Sequence, residues 1–188
     1  MKKTFIALAI AAASISAHAQ VTGIVEYDYD RVSNTTQHSN YVASGLIFST
    51  KYGNFDAYAQ GLSAYSDGNR DTAGGVEVGY SNQFSVGSVG ITPRIAFGTL
   101  EGLRATSVVK YMLYSVEVST LIAPKTTGFI GVSHMNGLTQ SAISAQNRVL
   151  IGADYALTEK LSARIAYSHK WYLQQNANGI MTSLAYSF

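Results

Sequence analysis

Residues 148–157 place Val149, Ile151, Ala153, Tyr155 and Leu157 on one side of the chain, and Arg148, Leu150, Gly152, Asp154 and Ala156 on the other. Residues 160–171 repeat the pattern, with Leu161, Ala163, Ile165, Tyr167 and Trp171 against Ser162, Arg164, Ala166, Ser168 and Lys170. So do residues 87–98, where Val89, Ile91, Pro93, Ile95 and Phe97 oppose Ser88, Gly90, Thr92, Arg94 and Ala96. A period of two belongs to a β-strand, whose successive side chains point to opposite faces. No helical period of 3.6 appears after the first twenty residues. The chain is therefore predicted to be all-β, with one apolar face and one polar or small face.

About ten segments carry this alternation: 21–30, 41–50, 55–65, 75–82, 87–98, 106–122, 127–135, 147–157, 160–171 and 179–188. Most have the length of a tilted strand crossing a bilayer. Segment 106–122 is too long for one crossing, so the sequence predicts an extension beyond the membrane or a bulge near Tyr114–Ser115. The connectors alternate in kind. Long or polar ones cover 31–40, 66–73, 100–105, 136–146 and 173–179, and tight ones cover 51–54, 82–85, 124–127 and 158–160. That is an up-and-down antiparallel meander with unlike ends, as in transmembrane barrels with short periplasmic turns and longer outer loops. Both termini then fall at the tight-turn end, which requires an even strand count. About ten strands fit, within a range of 8 to 12 (~).

The first residues have a different composition. Lys2 and Lys3, an apolar run from Phe5 to Ala13, and Ala17-His18-Ala19 describe a secretory signal peptide over residues 1–19, cleaved after Ala19. The barrel domain is then 20–188. The full chain has 13 Lys+Arg and 11 Asp+Glu; the signal removes Lys2 and Lys3 and leaves 11 of each. A neutral mature chain carries no electrostatic footprint for nucleic acid. With no cysteine, disulfides and thiolate metal sites are excluded.

Alternation alone fits a soluble barrel as well. Two features favour the membrane. Gly, Ala and Ser crowd the polar face, as a narrow lumen requires. The apolar face ends in aromatic residues, among them Tyr29, Phe55, Tyr65, Tyr80, Phe97, Tyr155, Tyr167, Trp171, Tyr186 and Phe188, which suit interfacial girdles.

The signal peptide, the alternating strands and the terminal Phe188 resemble the Gram-negative outer-membrane β-barrel proteins over the whole chain, and the tight "KYGN" element at 51–54 is similar to those of small porin-like members. The resemblance implies residence in the cell outer membrane, contact with its lipid and lipopolysaccharide, and insertion by the barrel assembly machinery. In that family the last strand ends on an aromatic residue with an apolar or aromatic one two places back. Tyr186 and Phe188 match, and Leu184 continues the series. Ser183 and Met181 depart from the family's usual Gly and polar residue. The last strand is expected to pair with the first and close the sheet.

By parity, Glu26, Asp28, Asp56, Glu77, Glu117 and Asp154 point inward, with Arg94, Arg148, Arg164 and Lys170; Asp30 shares the face of Glu26 and Asp28. These charges make either a salt-bridged plug or a narrow polar pore. Ten strands lie nearer the filled eight-stranded barrel than the wide sixteen-stranded one. The expected function is porin-like passage of ions or very small solutes. The alternative is a non-conducting structural or surface-binding barrel working through its outer loops. A lipid-modifying enzyme is the third class. Ser133-His134 and Ser168-His169 are adjacent pairs, so each splits across the two faces of its strand and forms no local nucleophile–base couple. No catalytic residue, metal site or cofactor is expected, and His38, His134 and His169 read as dispersed, solvated side chains. A three-residue loop at 158–160 would set Tyr155 opposite Ala163 and Asp154 opposite Arg164.

Overall fold

A computed structural model describes residues 20–66, 69–102, 108–138, 145–171 and 175–188; the signal peptide expected over residues 1–19, with Ala17 and Ala19, lies outside them. The strands are β1 Gln20–Val32, β2 His38–Thr50, β3 Gly53–Ser66, β4 Asn69–Ser81, β5 Phe84–Val86, β6 Val89–Gly102, β7 Val108–Ala123, β8 Thr126–Gly137, β9 Gln146–Ala156, β10 Leu161–Trp171 and β11 Asn176–Ser187. All pairings are antiparallel between neighbours in sequence, and β11 returns to β1 while β4 pairs with β6. The sheet is thus a closed barrel. It has ten strands, because β5 continues β4. Both pair with β6 in one register, Ser81 opposite Arg94 and Val86 opposite Val89.

The break between β4 and β5 has a local cause. The Asn82 N–H donates to the Pro93 carbonyl at 3.3 Å. Pro93 has no N–H to return, so one rung of the ladder is lost. The turn expected at 82–85 therefore lies inside a strand. The real turn is Gly87-Ser88, between paired Val86 and Val89. Gly87 has φ 61°, a left-handed value that the first central residue of such a hairpin needs and that glycine adopts without strain.

β1 to β4, β6, β8 and β11 are longer than the sequence pattern indicated, and the connectors beside them are mostly shorter. Ser66 pairs with Asn69, so 66 and 69–73 of the connector expected over 66–73 belong to strands, and 67–68 lie outside the described residues. β1 and β2 leave only 33–37 between them, against an expected 31–40. At the long-loop end 33–37 joins β1 to β2, and the other connectors expected there fall wholly or partly outside the described residues, at 67–68, 103–107, 139–144 and 172–174; the tight-turn end holds 51–52, 87–88, 124–125 and 157–160. β7 is a single 16-residue strand, and its register shift falls between Leu121 and Ala123, not at Tyr114–Ser115. At Tyr114–Ser115 both neighbours hold the ladder in place. Near Leu121 the chain is entering the Pro124-Lys125 turn, where Lys125 has φ 64°.

The outer face is apolar and bare. Val25, Val42, Leu46, Val78, Ile95, Val132, Ile151, Ile165 and Leu184 are all exposed. Aromatic rings bracket this band. Phe55, Tyr80, Tyr155, Tyr186 and Phe188 lie toward the tight turns, and Tyr27, Tyr29, Tyr167 and Trp171 toward the long-loop end. A continuous apolar belt of this extent belongs in lipid, with the rings at its two interfaces. The opposite face fills the lumen.

Candidate functional site

The candidate site is the charged lumen. The turn at 157–160 leaves Ser162 opposite Ala156, which carries Ala163 to Tyr155 and Arg164 to Asp154. Arg164 Nε donates to Asp154 Oδ1 at 2.7 Å and Nη2 to Oδ2 at 2.8 Å. The same guanidinium crosses the lumen to β7, donating to Glu117 at 2.9 and 3.1 Å. It also lies over the Phe129 ring, 4.0 Å from its centre, so an inward aromatic shields one face of the cation.

A second network gathers β2, β3, β4, β6 and β7. Arg94 Nε donates to Asp56 at 2.9 Å, a second nitrogen bonds the other Asp56 oxygen, and that nitrogen also reaches Glu77 at 2.7 Å. Tyr111 donates to Glu77 at 2.7 Å, Gln60 to the Tyr111 hydroxyl at 2.5 Å, and Tyr41 to Gln60 at 2.9 Å. Tyr111 fits because Gly98 stands directly opposite it; a Cβ at Gly98 would enter the ring.

The third network lies toward the long-loop end. Lys170 donates to Asp28 at 2.9 Å and bonds Asp30, and Arg148 donates to Asp28 at 2.8 Å. Ser168 donates to Asp30 at 3.3 Å. Lys170, Asp28 and Asp30 are buried. Burial of this depth costs several kcal/mol per ion (~) and holds only because the charges are paired. The Oδ1 of Asp28 and the Nε of Arg148 are nonetheless buried with no partner among the described residues.

All ten lumen charges expected from parity face inward, and nine of them join one of the three networks. Glu26 faces inward between Ala43 and Ser183 and forms no salt bridge among the described residues. Sequence reasoning put Asp30 on the inward face without counting it among the lumen charges, and it left out Tyr41, Gln60 and Tyr111. Asp30 had a signal, since it shares the parity of Glu26 and Asp28. The other three are neutral inward side chains whose partners lie on strands remote in sequence. Seven inward carboxylates (Glu26, Asp28, Asp30, Asp56, Glu77, Glu117 and Asp154) meet four inward bases (Arg94, Arg148, Arg164 and Lys170).

The lumen is packed. Inward-facing Ala43, Ala96, Ala166 and Ala177 are each at most 2% exposed, although a water-filled channel would wet such short side chains. Phe129, Ala166 and Met181 form an apolar cluster with Leu150 between the charged networks. The side chains of Glu117, Asp154 and Arg164 remain about a quarter exposed, at 27%, 30% and 26%. Water therefore enters from the tight-turn end as far as that network. Ser133 and Ser168 face the lumen, while His134 and His169 face outward and bond Asn147 and Asn178 at 2.8 and 2.6 Å.

Solved structures share this fold. An outer membrane channel from Pseudomonas putida F1 superposes with a TM-score of 0.62 at 9% identity, covering 91% of this chain and 96% of the other. The beta domain of the Bordetella autotransporter BrkA gives 0.57 at 11% identity, covering 90% and 99%. The transport unit of the autotransporter AIDA-I from Escherichia coli gives 0.51 at 10% identity, covering 92% and 91%. The chain has the closed up-and-down architecture of outer-membrane β-barrels. No family model matches the chain, and no curated protein does.

Proposed function

We propose that this chain is an outer-membrane barrel giving narrow, porin-like passage to small inorganic ions, cations before anions, through a lumen held shut here by its own ion pairs. The observation that carries this reading is the charge of the lumen. An inert plug is made as well or better from apolar side chains, because swapping a buried ion pair for packed hydrophobic groups is often neutral or stabilising by ~1–4 kcal/mol. This barrel instead carries seven inward carboxylates and four bases, and the carboxylate excess favours cations. Nothing of nutrient size passes Phe129, Met181 and Lys170 as they are packed.

Refolded protein in a planar bilayer tests this. The expected result is small, cation-selective steps, with larger ones for Lys170→Ala. Folded wild type and Lys170→Ala that both stay silent would overturn it.

A second reading, a non-conducting structural barrel, is favoured by the apolar cluster of Phe129, Leu150, Ala166 and Met181. The silent result would establish it.

A further inference from the structure

Six outward residues stand side by side on six consecutive strands. Arg70 on β4 is opposite Tyr65 on β3, Tyr65 is opposite His38 on β2, and His38 is opposite Arg31 on β1. Arg31 is opposite Asn178 on β11, and Asn178 is opposite His169 on β10. Each shares the parity of exposed apolar residues on its own strand, such as Val76, Phe55, Val42, Val25, Ile180 and Ile165.

The row is held in place by its own contacts. The Arg70 guanidinium lies 5.5 Å from the centre of the Tyr65 ring, and His38 stacks on that ring at 4.6 Å. His169 bonds Asn178 at 2.6 Å, and Asn178 donates to Ser33 at 3.3 Å. Arg31 and Arg70 are exposed, and neither has a carboxylate partner among the described residues. The carboxylates of these strands turn away, since Glu26, Asp28, Asp30, Asp56 and Glu77 face the lumen and Asp71 shares that parity at the rim. On these six strands the alternation that gathers acid inside leaves base outside; the nearest outward carboxylate on a neighbouring strand, Glu101 of β6, stands opposite Gly74, four residues along β4 from Arg70.

Depth identifies what meets this row. Two residues nearer mid-membrane on the same face stand Tyr29, Ile180 and Tyr167 on β1, β11 and β10, and below them Tyr27 and Ile165; on β2, β3 and β4 the same positions hold Asn40, Ser63 and Thr72. Because barrel strands are tilted, the row starts at the edge of the apolar belt at His169, Asn178 and Arg31 and climbs outward to Tyr65 and Arg70, and its neighbours along that rise are lipid head groups. Unbalanced guanidinium groups at that level select anionic ones, and the planar fork of Arg fits phosphate oxygens. Three inter-strand steps separate Arg31 from Arg70, roughly 14 Å. That distance suits a large head group with more than one phosphate.

We propose that the row from Arg70 to His169 docks the phosphates of the anionic glycolipid of the outer leaflet, lipopolysaccharide. This rests on the membrane barrel with its long-loop end outward. It does not depend on conduction.

The test titrates folded barrel in neutral detergent with lipopolysaccharide and reads binding by native mass spectrometry. Wild type should bind. Arg31→Ala/Arg70→Ala should weaken binding about tenfold or more, while Lys160→Ala, at the tight-turn end, should leave it unchanged. Phosphatase-treated lipopolysaccharide should bind wild type about tenfold more weakly, and inorganic phosphate alone should not reproduce the complex. Equal affinity for treated and untreated lipid would overturn the proposal. So would a double variant that binds like wild type, an equal loss in Lys160→Ala, or binding of inorganic phosphate in place of the lipid. The phosphatase arm uses wild type only, so it decides the matter even if the double variant does not fold.

Discussion

Arg164 meets Asp154 across one strand interface at 2.7 Å and Glu117 across three at 2.9 Å, so one cation holds two carboxylates together. Arg164→Ala leaves that carboxylate pair without its counter-charge. A fully buried orphan charge costs ~3–5 kcal/mol; with about a quarter of each side chain in water, the loss here should be about 2–3 kcal/mol. Adding Glu117→Gln should recover part of it. Urea unfolding of the two single variants and the double checks this, and additive effects would mean the pair is not coupled.

Lys170 is the more buried cation, its side chain 10% exposed against 2% for Asp28 and 5% for Asp30. Lys170→Met should therefore cost more than Arg164→Ala, about 3–5 kcal/mol. Among the described residues Asp28 keeps Arg148, whereas Asp30 keeps only the hydroxyl of Ser168. Asp30→Asn should therefore rescue Lys170→Met better than Asp28→Asn does. Rescue in the reverse order would move the charge centre of this network to Asp28.

Much of this arrangement was legible in the sequence, and the limit is physical. Period-two alternation assigns a face to every strand residue, and a short hairpin loop fixes the register across it. Those two facts together place Asp154 beside Arg164. Glu117 is 47 residues from Arg164, and no local pattern reports which strand lies across a lumen. Turns were harder to place than faces. Asn82-Gln83 has turn-like composition but lies where Pro93 breaks the ladder, while Gly87-Ser88 lies inside an apparent strand start. At the long-loop end, polar residues such as Asn69, Arg70 and Asp71 remain in strands. Beyond the apolar belt, a paired strand has water around it and tolerates polar side chains, so polarity there does not mark a loop.

Gly98 should resist substitution more than its strand position suggests. Tyr111 occupies the space a side chain would fill and uses that position to donate to Glu77 and accept from Gln60. Gly98→Val should displace the ring, strand two buried polar groups and cost about 2–4 kcal/mol. Adding Tyr111→Ala should recover part of the loss by restoring room. A double variant less stable than Gly98→Val alone would place the strain elsewhere.

The orientation of the barrel is open to direct labelling. Asn34 lies in the 33–37 connector and Asn69 starts β4, both at the long-loop end; Ser88 and Glu159 are exposed in tight turns. Cysteines at Asn34 and Asn69 should react with a membrane-impermeant maleimide in intact cells, and those at Ser88 and Glu159 only after lysis. The opposite pattern would invert the barrel and place the Arg31–Arg70 row in the inner leaflet.

Phe188 closes the seam between the first and last strands. Its N–H donates to the Val21 carbonyl at 3.0 Å, its ring lies over Gly23, and it meets Tyr186 edge-on with centres 5.2 Å apart. It is also 72% exposed, so it faces lipid at the interface and contributes little packing to the barrel interior. Removing it should therefore cost the folded barrel little, about 1 kcal/mol for one hydrogen bond and part of a ring contact. If the same residue marks the strand for the assembly machinery, its loss should act on insertion instead. A Phe188 deletion expressed at low level should then reach the outer membrane poorly while unfolding in urea nearly as wild type. Normal outer-membrane levels, or a large loss of stability that explains poor levels by itself, would remove the assembly role.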